Sequence, residues 1–307
     1  MAVALQLRGV SPVIAVPFEA DGRLDLAGFA RVAEHIIARE VRSSLLFGLA
    51  SEFPKLTDDE RGTLLALYVQ CARGSQLAII ASVTDHSADV AVTRARRYVD
   101  AGAGAINIFP PFFLSPSKLQ ILDHISAIAE AVDVPVVIQF APNEAGTGIN
   151  CASIAGLIGQ HGTIAAVKVE ATPPGAAIDE LFATATRRPS VFVGYAGLHW
   201  PEAIAHGANG VQPGCSFVEL YQAAQALLDA GDMAGFAASH SRLLPWIKGW
   251  MTGVEHIVAI EKAILAARGL IQSAYCRRPS FPLSAQDHAG IAAFITEFGD
   301  SLPNVRL

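Results

Sequence analysis

Residues 164–170, Ile164-Ala165-Ala166-Val167-Lys168-Val169-Glu170, form a short apolar run typical of a strand buried inside a parallel sheet. One lysine interrupts the run. We expect the ammonium groups of the chain's other lysines to reach water, because these residues lie in polar or helix-like contexts: Lys55, Lys118, Lys248 and Lys262. Burying an amine costs stability unless something at that place needs it. The segment therefore predicts a buried strand that carries a candidate reactive residue, Lys168.

Similar apolar runs precede and follow this segment, and helix-period stretches separate them. The predicted strands are 10–18, 43–48, 77–83, 105–110, 134–140, 164–170, 190–196 and 210–213. Such β-α repeats predict an α/β fold, a closed (β/α)8 TIM barrel. An open doubly wound sheet is the alternative. It often has a Gly-rich phosphate loop after its first strand, whereas here Glu19-Ala20-Asp21-Gly22 follows.

The last third of the chain is helical in pattern, with predicted helices at 218–228, 233–251, 254–268 and 285–298. This is too much for one barrel helix. We expect residues 1–217 to form the barrel. Residues 218–307 would form a C-terminal helical extension packed on the barrel, not an independent domain.

Composition excludes several classes of function. The net charge is −6 without a basic tract, which argues against nucleic-acid binding. No apolar run approaches the roughly 20 residues that span a bilayer, so no membrane partner is expected. The four cysteines form no CxxC pair, which indicates reduced thiols in a cytoplasmic protein. The charged fraction of only 16% fits surface covered by subunit contacts, hence a homo-oligomer.

The chemistry of a buried lysine makes Lys168 a candidate nucleophile, because a neutral amine attacks a carbonyl carbon to form a Schiff base. Alternate strand residues share a face, so Glu170 should stand beside Lys168, nearer the end of the barrel where active sites form. Glu170 would either shuttle protons or only pair with the ammonium; the pattern leaves both open. A metal site is a weak rival, since Asp85, His86 and His199 lack a ligand-spacing motif. We expect neither a metal nor a cofactor.

Several segments together resemble the dihydrodipicolinate synthase / N-acetylneuraminate lyase family of class I aldolases. They are F-x-x-D-G-x-x-D at 18–25, G-L-A-S-E-F-P-K-L-T-D-D-E-R at 48–61, the Pro110-Pro111-Phe112-Phe113 turn, Lys168, and K-A-I-L with G-L and R-R-P between 262 and 279. The resemblance runs over nearly the whole chain. It implies a (β/α)8 barrel with a helical extension, a Schiff-base lysine at Lys168, and commonly a tetramer built from dimers.

The sequence departs from this family at catalytic positions. The family's G-T-T-G-E motif is Gly48-Leu49-Ala50-Ser51-Glu52 here, so two threonine hydroxyls are lost and Ser51 keeps one nearby. The fifth-strand tyrosine is replaced by Gln139, and the tyrosine after the fourth strand by Phe112 or Phe113. An arginine of the synthases has no match in Asn143-Glu144-Ala145-Gly146. Proton transfer is worth about 10²–10⁴-fold, and glutamine or phenylalanine cannot carry a proton. We therefore expect a divergent lyase, not the synthase itself.

The remaining candidates follow from position. Glu170, Ser51 or Tyr195 would move protons, and backbone N–H groups of 49–51 would hold a pyruvate-like carboxylate. The other predicted substrate-binding residues are Gly48, Leu49, Ala50, Phe112, Gln139, Gly194 and Gln212. Gln139 and Tyr195 each have an ordinary packing or hydrogen-bonding role as the alternative, and Gln212 could be a partner for Glu170.

Three functions remain open from the sequence. The first is a Schiff-base lyase or aldolase acting on a 2-oxo acid. The second is a dehydratase or hydratase-aldolase acting on a sugar acid or an aromatic oxo acid, favoured by Leu49, Phe112 and Phe113. The third is a catalytically idle barrel that binds a small ligand.

Overall fold

The strands form one parallel sheet in a computed structural model that describes residues 7–145 and 148–303. The strands are β1 Gly9–Val10, β2 Ser43–Leu46, β3 Ala78–Val83, β4 Ala105–Ile108, β5 Val136–Phe140, β6 Ile164–Val169, β7 Ser190–Val193 and β8 Gly210–Val211. Their order is β1-β8-β7-β6-β5-β4-β3-β2, a nearly closed barrel. The predicted (β/α)8 TIM barrel is confirmed, and the open doubly wound sheet is excluded.

Helices follow the strands as the repeat pattern predicts. Those up to β8 are α1 Leu26–Ala38, α2 Asp58–Cys71, α3 Ala88–Asp100, α4 Lys118–Glu130, α5 Pro142–Ala145, α6 Cys151–Gln160, α7 Gly175–Thr184 and α8 Trp200–Ala205. The later ones are α9 Val218–Asp229, α10 Met233–Trp250, α11 Val254–Ala267 and α12 Ala285–Phe298. Helix α2 begins with a capping box, in which Thr57 and Glu60 each accept a hydrogen bond from the other's backbone N–H.

The first strand is shorter than the predicted 10–18. Regular pairing with β8 is limited to Gly9 and Val10, although Ser11 and Val13 still donate backbone hydrogen bonds to Val211 and Pro213. Pro12 has no N–H to donate to a ladder, and it interrupts the strand there.

A serine pair joins the two ends of the sheet. The Ser43 hydroxyl of β2 donates to the Ser11 hydroxyl just after β1, at 2.9 Å. The strands between them are buried almost throughout, as expected for a parallel sheet covered on both faces.

The chain divides into two compact units. The first comprises Met1–Ser11, Arg42–Leu45 and Ala78–Gln212, and the second comprises Pro12–Val41, Leu46–Leu77 and Pro213–Leu307. In the first unit α3 packs on β3 and β4, and α6 packs on β6. The expected boundary between 1–217 and 218–307 stays a prediction.

An aromatic cluster in the second unit joins α10 and α12 to Phe217, the residue before α9. Phe294 on α12 lies with its ring centroid 5.1 Å from both Phe217 and Trp250, and Trp246 lies 5.6 Å from Phe294. Edge-to-face pairs of this kind stabilise by about 0.5–1.5 kcal/mol each beyond area burial. The helical pattern after β8 thus forms a cohesive packed layer.

Two further features concern helix hydropathy and cysteine pairing. No helix within the described ranges is both long and apolar enough to cross a membrane. All four cysteines are free: Cys71, Cys151, Cys215 and Cys276.

Candidate active site

Lys168 lies within β6 and is only 3% exposed. Its Nζ is 3.2 Å from Oε1 of Glu170, so the two side chains share a face as strand alternation predicts. In the sheet Lys168 is flanked by Gln139 of β5 and Phe192 of β7. The Gln139 amide donates to the other Glu170 oxygen, Oε2, at 2.6 Å. One buried carboxylate therefore binds the lysine and the glutamine at once.

A hydrogen-bond chain continues from Gln139 across two more strands. The Asn107 amide nitrogen on β4 donates to Gln139 Oε1 at 3.1 Å and to the Ser82 hydroxyl on β3 at 2.9 Å. These hydrogen bonds place the side chains of Ser82, Asn107 and Gln139 on one face of the sheet, and all three are buried. The chain ends at Glu170, directly after β6, at the carboxyl end where barrel active sites form.

Gly194 provides the space for Glu170. A Cβ at Gly194 would lie 2.0 Å from Glu170 Oε1 and 2.5 Å from its carboxyl carbon. Because such approaches do not occur between real side chains, this position after β7 requires glycine while Glu170 keeps its place. Gly194 is thus a packing neighbour of the candidate proton shuttle.

Tyr195 is tied to a carboxylate that the sequence analysis did not single out. Its phenol donates to Oε1 of Glu144 at 2.5 Å, and the Asn143 amide donates to the phenol oxygen at 3.3 Å. Burial raises the pKa of Glu144; the hydrogen bond from Tyr195 opposes the rise, and the nearby Glu170 adds to it. Burial, followed by the bond to Glu144, raises the pKa of Tyr195, which makes its phenol a poor acid.

Gln212 belongs to a second polar chain in the same unit. Its amide nitrogen donates to the Ser11 hydroxyl at 3.3 Å, and Ser11 also accepts from Ser43. Gln212 is 3% exposed, and its Oε1 has no hydrogen-bond partner among the described residues. Gln212 therefore binds Ser11, and its predicted contact with substrate stays a prediction.

The other predicted substrate-binding residues are placed as follows. Leu49, Ala50 and Ser51 form one 3-10 turn behind Gly48, in the second unit. The Ser51 hydroxyl donates to the carbonyl of Ile14 at 2.7 Å, and the Ser51 N–H donates to the carbonyl of Gly48. Both Ser51 donors are thus engaged, and the roles expected of this turn stay predictions.

Phe112 follows β4 in the first unit. Its ring packs edge-on against Phe109 with centroids 5.6 Å apart, and the residue is 38% exposed. This packing does not test the predicted contact of Phe112 with substrate, which stays a prediction.

The expectation that the other lysines reach water is wrong for Lys262, which is 0% exposed. Lys262 on α11 forms an ion pair with Glu52, donates to the Tyr275 carbonyl at 3.0 Å, and lies 4.2 Å from the centre of the Phe18 ring. Burial lowers the pKa of Lys262, with the Glu52 charge opposing the change. A helical period does not reveal that α11 is buried nearly all round, which is why the sequence misplaced this ammonium.

Metal ligation gains no support from the geometry. Across residues 7–145 and 148–303, no three His, Cys, Asp or Glu side chains stand close enough to share an ion. Asp85 is engaged by Arg94 at 3.2 Å and caps the Ser87 N–H at 2.9 Å, while His86 is exposed.

Three site residues escaped the sequence analysis: Ser82, Asn107 and Glu144. Asn107 could have been found, because Ala105-Ile106-Asn107-Ile108 is an apolar strand with one polar residue, the same signal as at Lys168. Glu144 had no such signal, since nothing in a polar loop announces a contact with a tyrosine 51 positions later.

Comparisons with known proteins agree with this fold. The profile of the Dihydrodipicolinate synthetase family matches residues 6–298. A 4-hydroxy-tetrahydrodipicolinate synthase from Kineococcus radiotolerans is 27% identical over 286 residues, covering 92% of this chain and 91% of that protein. One from Exiguobacterium sp. is 29% identical over 295 residues, covering 95% and 98%. The solved dihydrodipicolinate synthase of Rhodopseudomonas palustris superposes with a TM-score of 0.87 at 22% identity, over 96% of this chain and 98% of that one.

Proposed function

Because the chain belongs to the dihydrodipicolinate synthetase family, we propose that it is a Schiff-base-forming lyase or aldolase that acts on a 2-oxo acid through Lys168. The observation that carries this proposal is the buried amine of Lys168, 3.2 Å from a carboxylate that Gln139 holds in place. An amine and a proton acceptor in contact are the two groups that imine formation needs.

The proton transfers follow from this pair. Glu170 takes a proton from the Lys168 ammonium, and the neutral amine attacks the carbonyl carbon of the 2-oxo acid. A proton on the attacking nitrogen then passes to the former carbonyl oxygen, which gives a carbinolamine. Glu170 then returns its proton to that hydroxyl, water leaves, and an iminium remains beside the Glu170 carboxylate. Its positive nitrogen accepts the electron pair of a breaking bond beside it, so a carbon–carbon bond can break or form there.

We further propose that the reaction differs from that of the synthases to which the chain is similar. Gln139 stands where the family places a proton-carrying tyrosine, and its amide is already used to position Glu170. Proton transfer would thereby be carried out by the carboxylate of Glu170.

A second candidate is a dehydratase or hydratase-aldolase acting on a sugar acid or an aromatic oxo acid. Phe112 and Phe113 after β4 are 38% and 81% exposed and present apolar surface on the carboxyl side of the strand. The same iminium serves this chemistry, since it also promotes loss of water from the neighbouring carbons.

The experiment exposes the protein to a panel of 2-oxo acids, reduces with borohydride, and measures intact and peptide mass. We expect one mass increase per chain, on the peptide that contains Lys168. Its size is the mass of the acid minus one oxygen atom, because condensation removes water and reduction adds two hydrogens. Lys168→Met is the matched variant that should stay unlabelled. Absence of an adduct with every acid overturns the proposal and favours the idle barrel. Cleavage assays with sugar acids and aromatic aldol products then separate the first candidate from the second.

We also propose a homo-oligomer, a tetramer or dimer, in the cytoplasm. The free cysteines support a reducing compartment. A solved relative with a TM-score of 0.88 is described as the first monomeric dihydrodipicolinate synthase variant, and a monomer that is the first of its kind supports oligomers as the usual form. Sedimentation equilibrium measures the assembly directly, and a monomer at all concentrations contradicts it.

A further inference from the structure

Gln212 is a buried amide whose carbonyl oxygen is unpartnered. The residue follows β8 directly, is 3% exposed, and donates from Nε2 to the Ser11 hydroxyl at 3.3 Å. Its Oε1 has no hydrogen-bond partner among the described residues. A buried acceptor without a donor is costly, because its bond to water has been lost and not replaced. The carbonyl of Gln212 is therefore available to a small donor such as a hydroxyl group or water.

The strand register places Gln212 on the same face of the sheet as Lys168. Lys168 of β6 pairs with Phe192 of β7, and Phe192 pairs with Gly210 of β8. Paired residues of neighbouring strands share a face, and so do residues two apart within one strand. Gln212, two residues after Gly210, therefore stands on the face that carries Lys168, one level nearer the carboxyl end of the strands.

The same level contains Glu170 and Gly194. The Gly194 N–H donates to the Val169 carbonyl at 3.3 Å, and the Gln212 N–H donates to the Val193 carbonyl at 2.9 Å. The register of the strands thus continues for one residue beyond their ends. Glu170, Gly194 and Gln212 are neighbours on three adjacent strands.

The carboxylate of Glu170 takes the place that a side chain at Gly194 would need. A Cβ at Gly194 would lie 2.0 Å from Glu170 Oε1, so this oxygen lies over β7. Neighbouring strands are about 4.8 Å apart, which puts Glu170 Oε1 roughly 5–7 Å from the Cβ of Gln212. The same oxygen is 3.2 Å from Lys168 Nζ. One carboxylate oxygen therefore lies next to both the amine and the unpartnered amide.

Two acceptors so placed can bind one water molecule. Water donates two hydrogen bonds, here one to Glu170 and one to Gln212, and its lone pairs stay free to attack a carbon atom bound to Lys168. A Schiff-base reaction needs such a molecule in each cycle, because imine formation releases one water and imine hydrolysis consumes one.

Resting on the proposed function, we propose that Gln212 is a positioning residue that holds, together with Glu170, the water lost and regained at the iminium carbon. In hydrolysis the water oxygen bonds to that carbon, the electron pair of the C=N bond moves to nitrogen, and Glu170 takes the water proton. Glu170 then gives this proton to the nitrogen and takes the hydroxyl proton as the C–N bond breaks. The products are the free 2-oxo acid and the Lys168 amine, and imine formation follows the same steps in reverse.

The test measures the rates at which the iminium forms and hydrolyses. The probes are pyruvate, 2-oxobutyrate and 2-oxoglutarate, and the acid that labels Lys168 at the lowest concentration is used for both rates. Borohydride added at intervals after mixing gives the rate of formation. Borohydride added at intervals after rapid removal of the free acid gives the rate of hydrolysis.

The variants remove or withdraw the amide carbonyl. Gln212→Met keeps the length of the side chain and should slow formation and hydrolysis by the same factor, about 10-fold, because both pass through one transition state that loses a hydrogen bond to water. The half-saturating concentration and the fraction labelled at saturation should stay unchanged. Gln212→Asn withdraws the amide by one methylene group and should slow both rates about 3-fold, which keeps the test valid if Gln212→Met does not fold.

Gln225→Met is the matched control. The Gln225 amide lies on α9 in the second unit and donates to Asp229 at 2.8 Å, and its Oε1 likewise has no hydrogen-bond partner among the described residues. The same chemical change at this position should leave both rates unchanged.

The outcomes separate this inference from the proposed function. Rates equal to those of the wild-type protein in the Gln212 variants, or slowing of one rate alone, overturn the role of Gln212, while labelling of Lys168 keeps the lyase. A changed half-saturating concentration with unchanged rates assigns Gln212 to substrate binding and also overturns the inference. Absence of a label with every acid overturns both.

Discussion

Lys168 and Lys262 are both buried, yet their surroundings differ in kind. Lys262 is enclosed by a carboxylate, a backbone carbonyl and an aromatic face, and its carboxylate also binds the ammonium of Lys55. The carboxylate beside Lys168 is instead shared with a neutral group, because Glu170 also accepts the amide of Gln139. That amide is the end of a chain leading to Asn107 and Ser82. Burial alone thus does not identify a nucleophile.

The two sets of contacts stabilise different things. Around Lys262 the ion pair sits inside a larger set of charges in which Lys55 also reaches Glu52 at 3.1 Å, and the Arg277 N–H donates to the same oxygen at 3.1 Å. Such a network locks a loop to a helix. Around Lys168 the partners are a proton acceptor and neutral amides, an arrangement that holds a reactive pair in register.

The largest expected effect separates the two lysines by reactivity. Lys168→Met should abolish borohydride-dependent labelling by any 2-oxo acid that the wild-type protein traps, since no amine remains to form the imine. Lys262→Met should keep the label. Peptide mass spectrometry after reduction gives the answer, and a label on the Lys262 peptide in the wild-type protein would reverse the comparison.

The next effect separates them by stability. Lys262→Met removes one of the two ammonium groups paired with the buried Glu52, and it should lower the free energy of unfolding by about 1–3 kcal/mol, because Lys55 and the Arg277 N–H remain on that carboxylate. Urea denaturation followed by circular dichroism measures the loss. Adding Glu52→Gln to Lys262→Met should restore part of it, because the charge that lost a partner is removed; a double variant no more stable than the single one contradicts the assignment.

Removing the charge of Glu170 sharpens the comparison at the reacting pair. Glu170→Gln keeps the shape of the side chain but cannot accept the lysine proton, so the rate of adduct formation should fall about 10²-fold. Time-resolved trapping measures the rate. The control is Glu255→Gln, which changes a carboxylate 2.6 Å from Lys55 in the other network and should leave the rate unchanged. Equal rates for Glu170→Gln and wild type would assign Glu170 to ion pairing only.

The smallest effect concerns the space behind Glu170. In Gly194→Ala the new methyl group meets the carboxylate, which must move, and the rate of adduct formation should fall about 10-fold because the pair loses its alignment. Gly156→Ala is the control at an exposed position of α6, where nothing lies within 4 Å of the added carbon. It should stabilise the helix by about 0.5–1 kcal/mol without changing the rate.

Most of the fold was predictable from strand periodicity and helix boundaries. The run around Lys168 predicts a buried strand, and alternation predicts that Glu170 shares its face; both are confirmed. The predicted extent of the first strand is wrong beyond Pro12, because proline has no N–H for the ladder even within an apolar pattern. The burial of Lys262 could not be predicted, because helix burial depends on what packs against the second face.

The candidate site was predictable only as far as local pattern reaches. Gln139 stands beside Lys168 in the sheet, a register that neighbouring strands in a barrel suggest. The pairing of Tyr195 with Glu144 joins the short helix α5 to the turn after β7, two segments far apart in sequence, and no local rule specifies it. What a loop side chain contacts is set by the folded geometry rather than by its own neighbours.

The hydrogen-bonded chain from Ser82 to Glu170 has its source at Asn107, which donates to Ser82 on one side and to Gln139 on the other. Gln139 donates in turn to Glu170. A tyrosine at position 139 would carry no amide group, so Asn107 would lose this acceptor and Glu170 this donor. Installing tyrosine-based chemistry here therefore requires changes at several of these positions together.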